Sequence, residues 1–555
     1  MLKEYRMFGP PGTGKTTRLA KITVPKAVDK YGVDGVVVTS FTRAAAQEIA
    51  GRGILIDDQC IGTLHSLCYR ALGFPKLVAQ GSYINEWNKQ NPNWKLVGAK
   101  ISSLDDSVFG NDGDYDGDKL LADLNIARSK VIPEEKWFGH IKKFSQKWTL
   151  FKNSYGIMDF TDLISEVIER DIPPPGNAKV MLVDEAQDLT PIQLKLCRKW
   201  GEKMDWIMLV GDDDQTIYSF TGATPDAFLT PEIPDAQKKV LNQSYRVPEN
   251  IFNAANKLIQ RVSRREKKVY KPRPHMGAVR DIQESYNQPD IIFDDIGKKL
   301  KEGKTIMILA SCSYMIDPIR KGLIERNLPF GNRYRVTRGD WNPLAKGGEN
   351  RISARDLLYM YLSSGSDGKY WNVPQFVGWA SHLGVGENGL KRNIGKKVLK
   401  KLKEEVTKGA RGLESTKNVV SMCLEPAACE KAMARDVDWL MTNLLQRRKN
   451  AMAYPIRLYK KFQSKDFLEK PPPITIGTIH SVKGGEADVV YLYPDISVAA
   501  ATERMIGAGQ ESEDSLLRLF YVGMTRAYEE LVLMSPVLKR SGKNKVRVNF
   551  HMELS

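Results

Sequence analysis

The stretch Tyr5-Arg6-Met7-Phe8-Gly9-Pro10-Pro11-Gly12-Thr13-Gly14-Lys15-Thr16 decides the fold. Tyr5 to Phe8 reads as a short buried strand, and Thr17 to Lys26 as a helix directly after the turn. Between them lies the pattern G-x-x-x-x-G-K-T. Its glycines let the backbone curl so that successive N–H groups face phosphate oxygens, and the following helix N-terminus adds its positive end. Lys15 is placed to reach the β and γ phosphates, and the Thr16 hydroxyl to ligate Mg²⁺. Strand, loop and helix in this order predict a nucleotide-binding α/β core.

Such a site needs a second hydrophobic strand that ends in acid. Val180-Met181-Leu182-Val183-Asp184-Glu185 supplies it, after a Pro-rich entry at Pro173-Pro174-Pro175-Gly176. Asp184 at the strand tip would hold Mg²⁺ through water, and Glu185 would polarise the attacking water as general base. Hydrolysis of the nucleotide, beyond binding alone, is therefore expected.

Composition sets the partner class. Lys and Arg number 83 against 66 Asp and Glu in 555 residues, a net charge of +17, which invites a polyanion, with nucleic acid as the leading candidate. Hydrophobic residues at 42% and charged residues at 27% exclude wholesale disorder. No apolar run approaches the length of a membrane span. The six cysteines form no C-x-x-C pair, against a disulfide scaffold, a zinc ribbon or an iron–sulfur cluster. Met1 to Arg6 lacks the apolar core of a secretory signal, so a reducing cytoplasmic location is expected, nucleoid-associated or in the host cytoplasm for a viral chain.

Further stretches follow in order: Val183-Asp184-Glu185-Ala186-Gln187-Asp188; a strand from Trp206 to Val210 running into Gly211-Asp212-Asp213-Asp214-Gln215-Thr216-Ile217-Tyr218-Ser219-Phe220; Leu241-Asn242-Gln243-Ser244-Tyr245-Arg246; Thr478-Ile479-His480-Ser481-Val482-Lys483-Gly484-Gly485-Glu486; and Tyr521-Val522-Gly523-Met524-Thr525-Arg526-Ala527. With the two stretches above, this set resembles the UvrD/Rep-type superfamily 1A DNA helicases over nearly the whole chain. The resemblance implies an α/β fold of two RecA-like P-loop cores, parallel sheets flanked by helices, each interrupted by a mainly helical inserted subdomain. On that pattern the first core comprises residues 1–69 and 155–239 with an insertion at 70–154, and the second 240–339 and 471–555 with an insertion at 340–470. Trp87, Trp94, Trp137 and Trp148 are the expected packing anchors of the first insertion, and Pro471-Pro472-Pro473 reads as a stiff re-entry.

The same resemblance assigns roles. Gly9, Pro10, Pro11, Gly12, Thr13, Gly14, Lys15, Thr16 and Thr17 form the nucleotide cradle, and Thr16 and Asp184 the Mg²⁺ ligands. Tyr245 resembles the aromatic that stacks on adenine, and Glu486 a nucleotide contact from the second core. Gln215 resembles the γ-phosphate sensor. Arg246 and Arg526 resemble two arginines sent from the second core to neutralise charge on the γ-phosphate, a role worth roughly 10³–10⁵ in rate. Single-stranded DNA would meet Thr39, Ser40, Phe41 and Arg43, then Thr63 and His65, the aromatics Tyr218 and Phe220, and, in the second core, Thr478, His480 and Lys483. A base–aromatic stack is worth about 1–3 kcal/mol and separating a base-pair step costs about 1.4 kcal/mol, so rings that release and regrip can hold each gained nucleotide. Two positions depart from the family pattern. No glutamine precedes Gly9, where the family reads adenine with one, and Thr17 stands where arginine is frequent.

The implied activity is an ATP- and Mg²⁺-dependent DNA helicase that translocates 3′→5′ on single-stranded DNA and unwinds duplex. The rivals are a translocase that strips bound proteins, or a nucleotide-switched DNA-binding subunit. Implied partners are single-stranded and tailed duplex DNA and single-strand-binding, recombination or replication proteins, with a monomer before DNA is bound. Asp112-Gly113-Asp114-Tyr115-Asp116-Gly117 imitates a calcium loop, but Lys119 occupies a normally apolar position, so an acidic turn ahead of a helix near Lys119 is expected. No internal repeat is evident.

Overall fold

The computed structural model describes residues 3–41, 56–79, 82–97, 116–332, 343–347, 352–364, 369–407, 417–505 and 509–537. The acidic turn at 112–115 and Arg43 lie outside the described residues. The chain divides into two compact units, one holding residues up to Val279 together with Val498–Leu531, the other holding Arg280–Ser497 and resuming at Val532. The fold is α/β, with parallel sheets flanked by helices, the layout of two RecA-like cores.

In the first unit the strands are β1 (Glu4–Phe8), β2 (Val36–Ser40), β3 (Ile61–Gly62), β4 (Val180–Asp184), β5 (Trp206–Gly211) and β6 (Lys238–Val240). They form one parallel sheet in the order β3-β2-β4-β5-β1-β6. β2 and β4 read as continuous apolar runs because a central parallel strand is buried on both faces. The register sets Phe8 opposite Gly211 and Ser40 opposite Asp184, so the loops after β1, β2, β4 and β5 leave the sheet at one edge. The helix after β1 runs from Lys15 to Tyr31 with a π-helical turn at Leu19–Thr23. That turn falls just before Pro25, whose ring nitrogen cannot donate to the carbonyl four residues back. A two-stranded ribbon, β7 (Gln243–Pro248) with β8 (Lys271–Arg273), follows in the same unit.

The helical segment between β3 and β4 has its own core. Trp87 and Trp148 are fully buried and meet edge to face at 4.9 Å, while Trp94 and Trp137 pack against that core partly exposed. A charged knot ties this segment to the helix Phe160–Glu169, where Asp159 and Asp162 form a capping box. Lys152 Nζ donates to Asp159 at 2.6 Å and also to Asp162, Arg128 bonds both carboxylates, and Trp148 Nε1 donates to Asp159 at 3.0 Å. Burial alone would raise the Asp159 pKa, but Arg128 and Lys152 outweigh it and hold the carboxylate ionised.

In the second unit β9 (Ala278–Ile282), β10 (Ile306–Ala310), β11 (Phe330–Asn332), β12 (Ile474–Thr478), β13 (Ala487–Leu492) and β14 (Ala527–Met534) make a sheet of order β11-β12-β10-β13-β14-β9; the unit division passes through β9 and β14. The pairs β10–β12, β10–β13 and β11–β12 are parallel. Between β11 and β12 lie helices that include Ala354–Leu362, Val373–Ala380, Gly395–Thr407 and Gln446–Phe462, packed around Tyr361, Trp371, Trp379 and Trp439. Pro473 is bound into the sheet edge, its carbonyl accepting from Ile306 N at 2.8 Å.

Replacing Lys152 by Met leaves two buried carboxylates facing Arg128 alone. Breaking a buried pair from one side costs about 3–5 kcal/mol. Chemical denaturation of Lys152→Met is expected to show a loss of that order, with Lys152→Arg losing less. A loss below about 1 kcal/mol would match a surface ion pair instead.

Candidate functional site

The loop after β1 is shaped by its own sequence. Gly9 N donates to Gly211 O at 2.9 Å, Thr13 Oγ1 to Pro10 O at 2.8 Å, and Lys15 Nζ to Gly9 O at 2.6 Å. Gly12 and Gly14 sit at φ +72° and +76°, the left-handed region that a residue with a Cβ rarely adopts. A Cβ on Gly12 would lie 2.4 Å from Arg246 Cβ, because β7 lies directly on the loop. Ser244 Oγ donates to Pro11 O and Tyr245 N to Gly12 O, both at 2.8 Å. Tyr245 keeps its ring 67% exposed beside the loop, and Arg246 is half-buried. Thr17 is exposed on the first turn of the helix.

Asp184, fully buried at the tip of β4, accepts the Thr16 hydroxyl on Oδ2 at 2.8 Å, while its Oδ1 is buried and has no hydrogen-bond partner among the described residues. Burial, then the charge of Glu185, pushes its pKa up to about 7. A hydroxyl and a carboxylate with an orphaned oxygen are a donor set that suits a hard divalent cation such as Mg²⁺. Glu185 takes the left-handed conformation at φ +52°, a strain that a non-glycine residue sustains only when its surroundings fix it.

What fixes it is Gln187, fully buried, whose Nε2 donates to Glu185 Oε2 at 2.6 Å. Its Oε1 accepts from Asp212 N at 3.0 Å. Asp212 Oδ2 in turn accepts Gln215 Nε2 at 2.7 Å, and Gln215 Oε1 accepts Arg526 Nη2 at 3.0 Å. Glu185, Gln187, Asp212, Gln215 and Arg526 therefore form one hydrogen-bonded chain. From sequence, Gln187 and Asp212 carry no role. The signal available was only their place inside motifs already quoted.

Sequence places Arg246 and Arg526 on the second core. Both instead pack in the unit that holds the phosphate loop, because residues 240–279 and 498–531 bond into it. Besides the Ser244 and Tyr245 bonds, Arg518 Nε donates to Asp213 O at 3.0 Å and Lys268 is buried against Asp212, Asp213 and Asp214. Glu486 lies in the other unit, exposed just ahead of β13.

The described residues read as DNA-facing divide into half-buried and interior ones. Tyr218 and Phe220 are half-buried, 5.9 Å apart. Phe41 is interior, only 4% exposed, and stacks on Tyr218 at 5.2 Å, so its ring backs Tyr218 and offers no open face to a base. His65 is buried too, edge-on to Phe160 at 5.9 Å, and burial lowers its pKa to about 4. Thr39 and Ser40 end β2 with buried hydroxyl oxygens that have no hydrogen-bond partner among the described residues. Thr478 is buried at the end of β12, with His480 and Lys483 half-buried beyond it.

Two five-residue stretches, too short to stand out as a repeat in the sequence, share one turn. Gly62-Thr63-Leu64-His65-Ser66 and Gly477-Thr478-Ile479-His480-Ser481 build the same turn. In each the serine Oγ donates to the threonine carbonyl at 2.8 Å and the serine N to the threonine Oγ1 at 3.3 Å. In each, a Cβ on the glycine would strike the serine Oγ, at 2.4 and 2.5 Å respectively.

A family model described as an AAA domain matches residues 3–221, and one described as a UvrD-like helicase C-terminal domain matches residues 442–536. A "Probable DNA helicase II homolog" of Mycoplasma capricolum is 24% identical over 363 residues, 59% of this chain and 49% of the relative. The ATP-dependent DNA helicases UvrD1 and UvrD2 of Mycobacterium tuberculosis are 28% and 25% identical over 47% and 45% of this chain, and 38% and 40% of their own lengths. The chain thus spans about half the length, or less, of these curated relatives. With an AAA domain matched at residues 3–221, a UvrD-like helicase C-terminal domain at 442–536 and the motifs between them in order, the chain is similar to the UvrD-like superfamily 1 helicases.

Proposed function

We propose that this chain hydrolyses ATP to move along single-stranded DNA in the 3′→5′ direction and to open duplex ahead of it. The observation that carries the reading is the hydrogen-bonded chain from Glu185 to Arg526, because its Gln215 begins the loop that bears Tyr218 and Phe220. A change at the nucleotide's end is felt within three residues of the aromatics.

The glycine-shaped loop with Lys15 grips the phosphates, and Tyr245 supplies a ring face for adenine. Thr16 and Asp184 would hold Mg²⁺, which when bound supplies Lewis-acid polarisation of the phosphates. Glu185, aimed by Gln187, takes the proton of the attacking water. Arg246 and Arg526 meet charge developing on the γ-phosphate, and Gln215 reports its presence through Asp212. On the strand side Tyr218 and Phe220 stack on bases, with Phe41 behind Tyr218 as its support. Thr39, Ser40, Arg43, Thr63, Thr478, His480 and Lys483 serve the phosphate backbone, with His65 bracing the turn of Thr63. Such contacts carry no base identity, so binding is indifferent to sequence. Tailed duplexes, single-strand-binding proteins and recombination or replication proteins are the partners this predicts. Among the described residues no helix is long and apolar enough to cross a membrane.

ATP turnover, measured without nucleic acid and with single-stranded DNA or RNA of matched length, is expected to rise at least about tenfold with DNA. Strand displacement should favour a 3′-tailed over a 5′-tailed duplex. Equal displacement of both would remove the polarity, and no stimulation by either polymer would remove the motor. Lys15→Ala should lose nucleotide binding and turnover together. Glu185→Gln should keep nucleotide affinity while turnover falls by about 10²–10⁴, the usual worth of a general base. Affinity for a single strand should fall linearly on a log–log plot against salt, with a slope of about −0.7 per phosphate neutralised. A flat response would mean that the positive excess does not meet the backbone.

A further inference from the structure

The mechanism above leaves unused a deeply buried cation of the first unit. Lys268 is 1% exposed at its side chain, and its Nζ contacts three consecutive carboxylates: Asp212 Oδ1 at 3.1 Å, Asp213 Oδ1 at 2.5 Å and Asp214 Oδ2 at 3.0 Å. Arg265 bonds both oxygens of Asp214, and Glu266 N donates to Asp213 Oδ2 at 2.8 Å. Burial alone would strip the proton from Lys268, but the three acids outweigh it and keep the ammonium charged. Desolvating an ammonium costs several kcal/mol, and apolar packing ties a loop down at lower cost. Something other than stability therefore explains why a cation sits here.

Asp212 shows what that is. Its polar groups are all committed: N–H to Gln187, the carbonyl to Gln215 N, Oδ2 to Gln215 Nε2, and Oδ1 to Lys268 and, at 3.3 Å, to Asp214 N. An ionised carboxylate only accepts, so it can bond the NH₂ side of the Gln215 amide and not the oxygen side. The amide oxygen is thereby turned toward Arg526, a guanidinium that only donates. If Asp212 swings or loses its charge, the amide is free to invert, and an NH₂ group then faces the arginine. Lys268 is the main group that prevents both, helped by the Asp214 N–H in holding Oδ1 and by Lys15 in keeping the charge.

Resting on the proposed ATPase reaction, we propose that Lys268 is a positioning residue: by anchoring Asp212 it fixes the polarity of the Gln215 amide and hence the placement of Arg526. It acts on turnover without touching nucleotide or strand.

The test compares Lys268→Met and Lys268→Arg with the wild-type chain. Readouts are the Kd for a fluorescent ATP analogue, the affinity for a single strand without nucleotide, and kcat and KM for ATP with and without that strand. Lys268→Met should lower kcat at least about tenfold, with KM, analogue affinity and strand affinity within about threefold of wild type. Lys268→Arg, which keeps a donor-only cation at Asp212, should recover most of kcat. Should Lys268→Met fail to fold, Lys268→Met with Asp213→Asn removes one buried charge of each sign and is held to the same expectation. A folded variant with kcat within about twofold of wild type overturns the proposal. So does one in which kcat and analogue affinity fall together and arginine restores nothing, since that is the signature of a general structural lesion. If the wild-type chain hydrolyses ATP with no response to any strand, the motor reading fails, and Lys268 is still judged on kcat without a strand.

Discussion

Phe8 lies opposite Gly211 and Ser40 opposite Asp184 in the parallel register of the first sheet, and every chemical feature of the site inherits that alignment. Parallel strands bring their carboxyl ends to one edge, so loops from distant parts of the chain meet there without folding back. The Thr16 hydroxyl can reach Asp184 across 168 residues because both leave the sheet at this level. A slip of one residue in β4 would turn Asp184 away and set an apolar side chain against the phosphate loop. The continuous apolar character of β2 and β4 suits burial on both faces, and the neighbouring strands and the turns at the strand ends fix the level.

Two buried charge clusters of the first unit look alike and are built for different ends. Around Asp159 and Asp162, Lys152 and Arg128 join a helical insertion to the start of a helix, and both acids also cap that helix through its backbone N–H groups. That cluster fixes an angle between elements. Around Asp212, Asp213 and Asp214, Lys268, Arg265 and Arg518 converge on a single 3₁₀ turn whose last residue is Gln215. This second cluster fixes one side chain within the turn. Buried ionic groups are weak evidence of stability and stronger evidence of specificity, and here the specificity is the direction of an amide.

Much of this was legible in the sequence, for a physical reason. Phosphate loops need glycine at fixed offsets, strand tips need acid, and both requirements act within a dozen residues, so β1, β4 and β5 appear as expected. The rest depends on long-range packing. Lys268 meets Asp213 across 55 residues, and a lysine beside another lysine and an arginine reads as solvated surface. Phe41 and His65 sit in motifs that read as strand-facing, yet burial is decided by Tyr218 and Phe160, far along the chain. The same holds for Trp87 and Trp148 against Trp94 and Trp137, four tryptophans of one segment with different exposure. Arg246 and Arg526 join the first unit because short bonds from Ser244, Tyr245 and Arg518 hold their segments to it, and no local pattern records those bonds.

Gln187 ties these levels together. Its side chain aims Glu185 and holds the backbone of Asp212, while its own carbonyl accepts the Thr216 hydroxyl at 3.3 Å. Thr216 is the residue between Gln215 and the segment that carries Tyr218, whose ring is backed by the interior Phe41. Glu185 and the loop of Tyr218 and Phe220, the proposed general base and stacking loop, thus share one buried anchor, and neither can shift by the length of a hydrogen bond without straining the other. Packed interiors respond to such strain by switching between discrete arrangements, since close packing leaves little room for continuous adjustment. On the proposed function, a loop wired in this way would change state once per event at the phosphates, which is the stepwise behaviour that gripping and releasing a polymer requires.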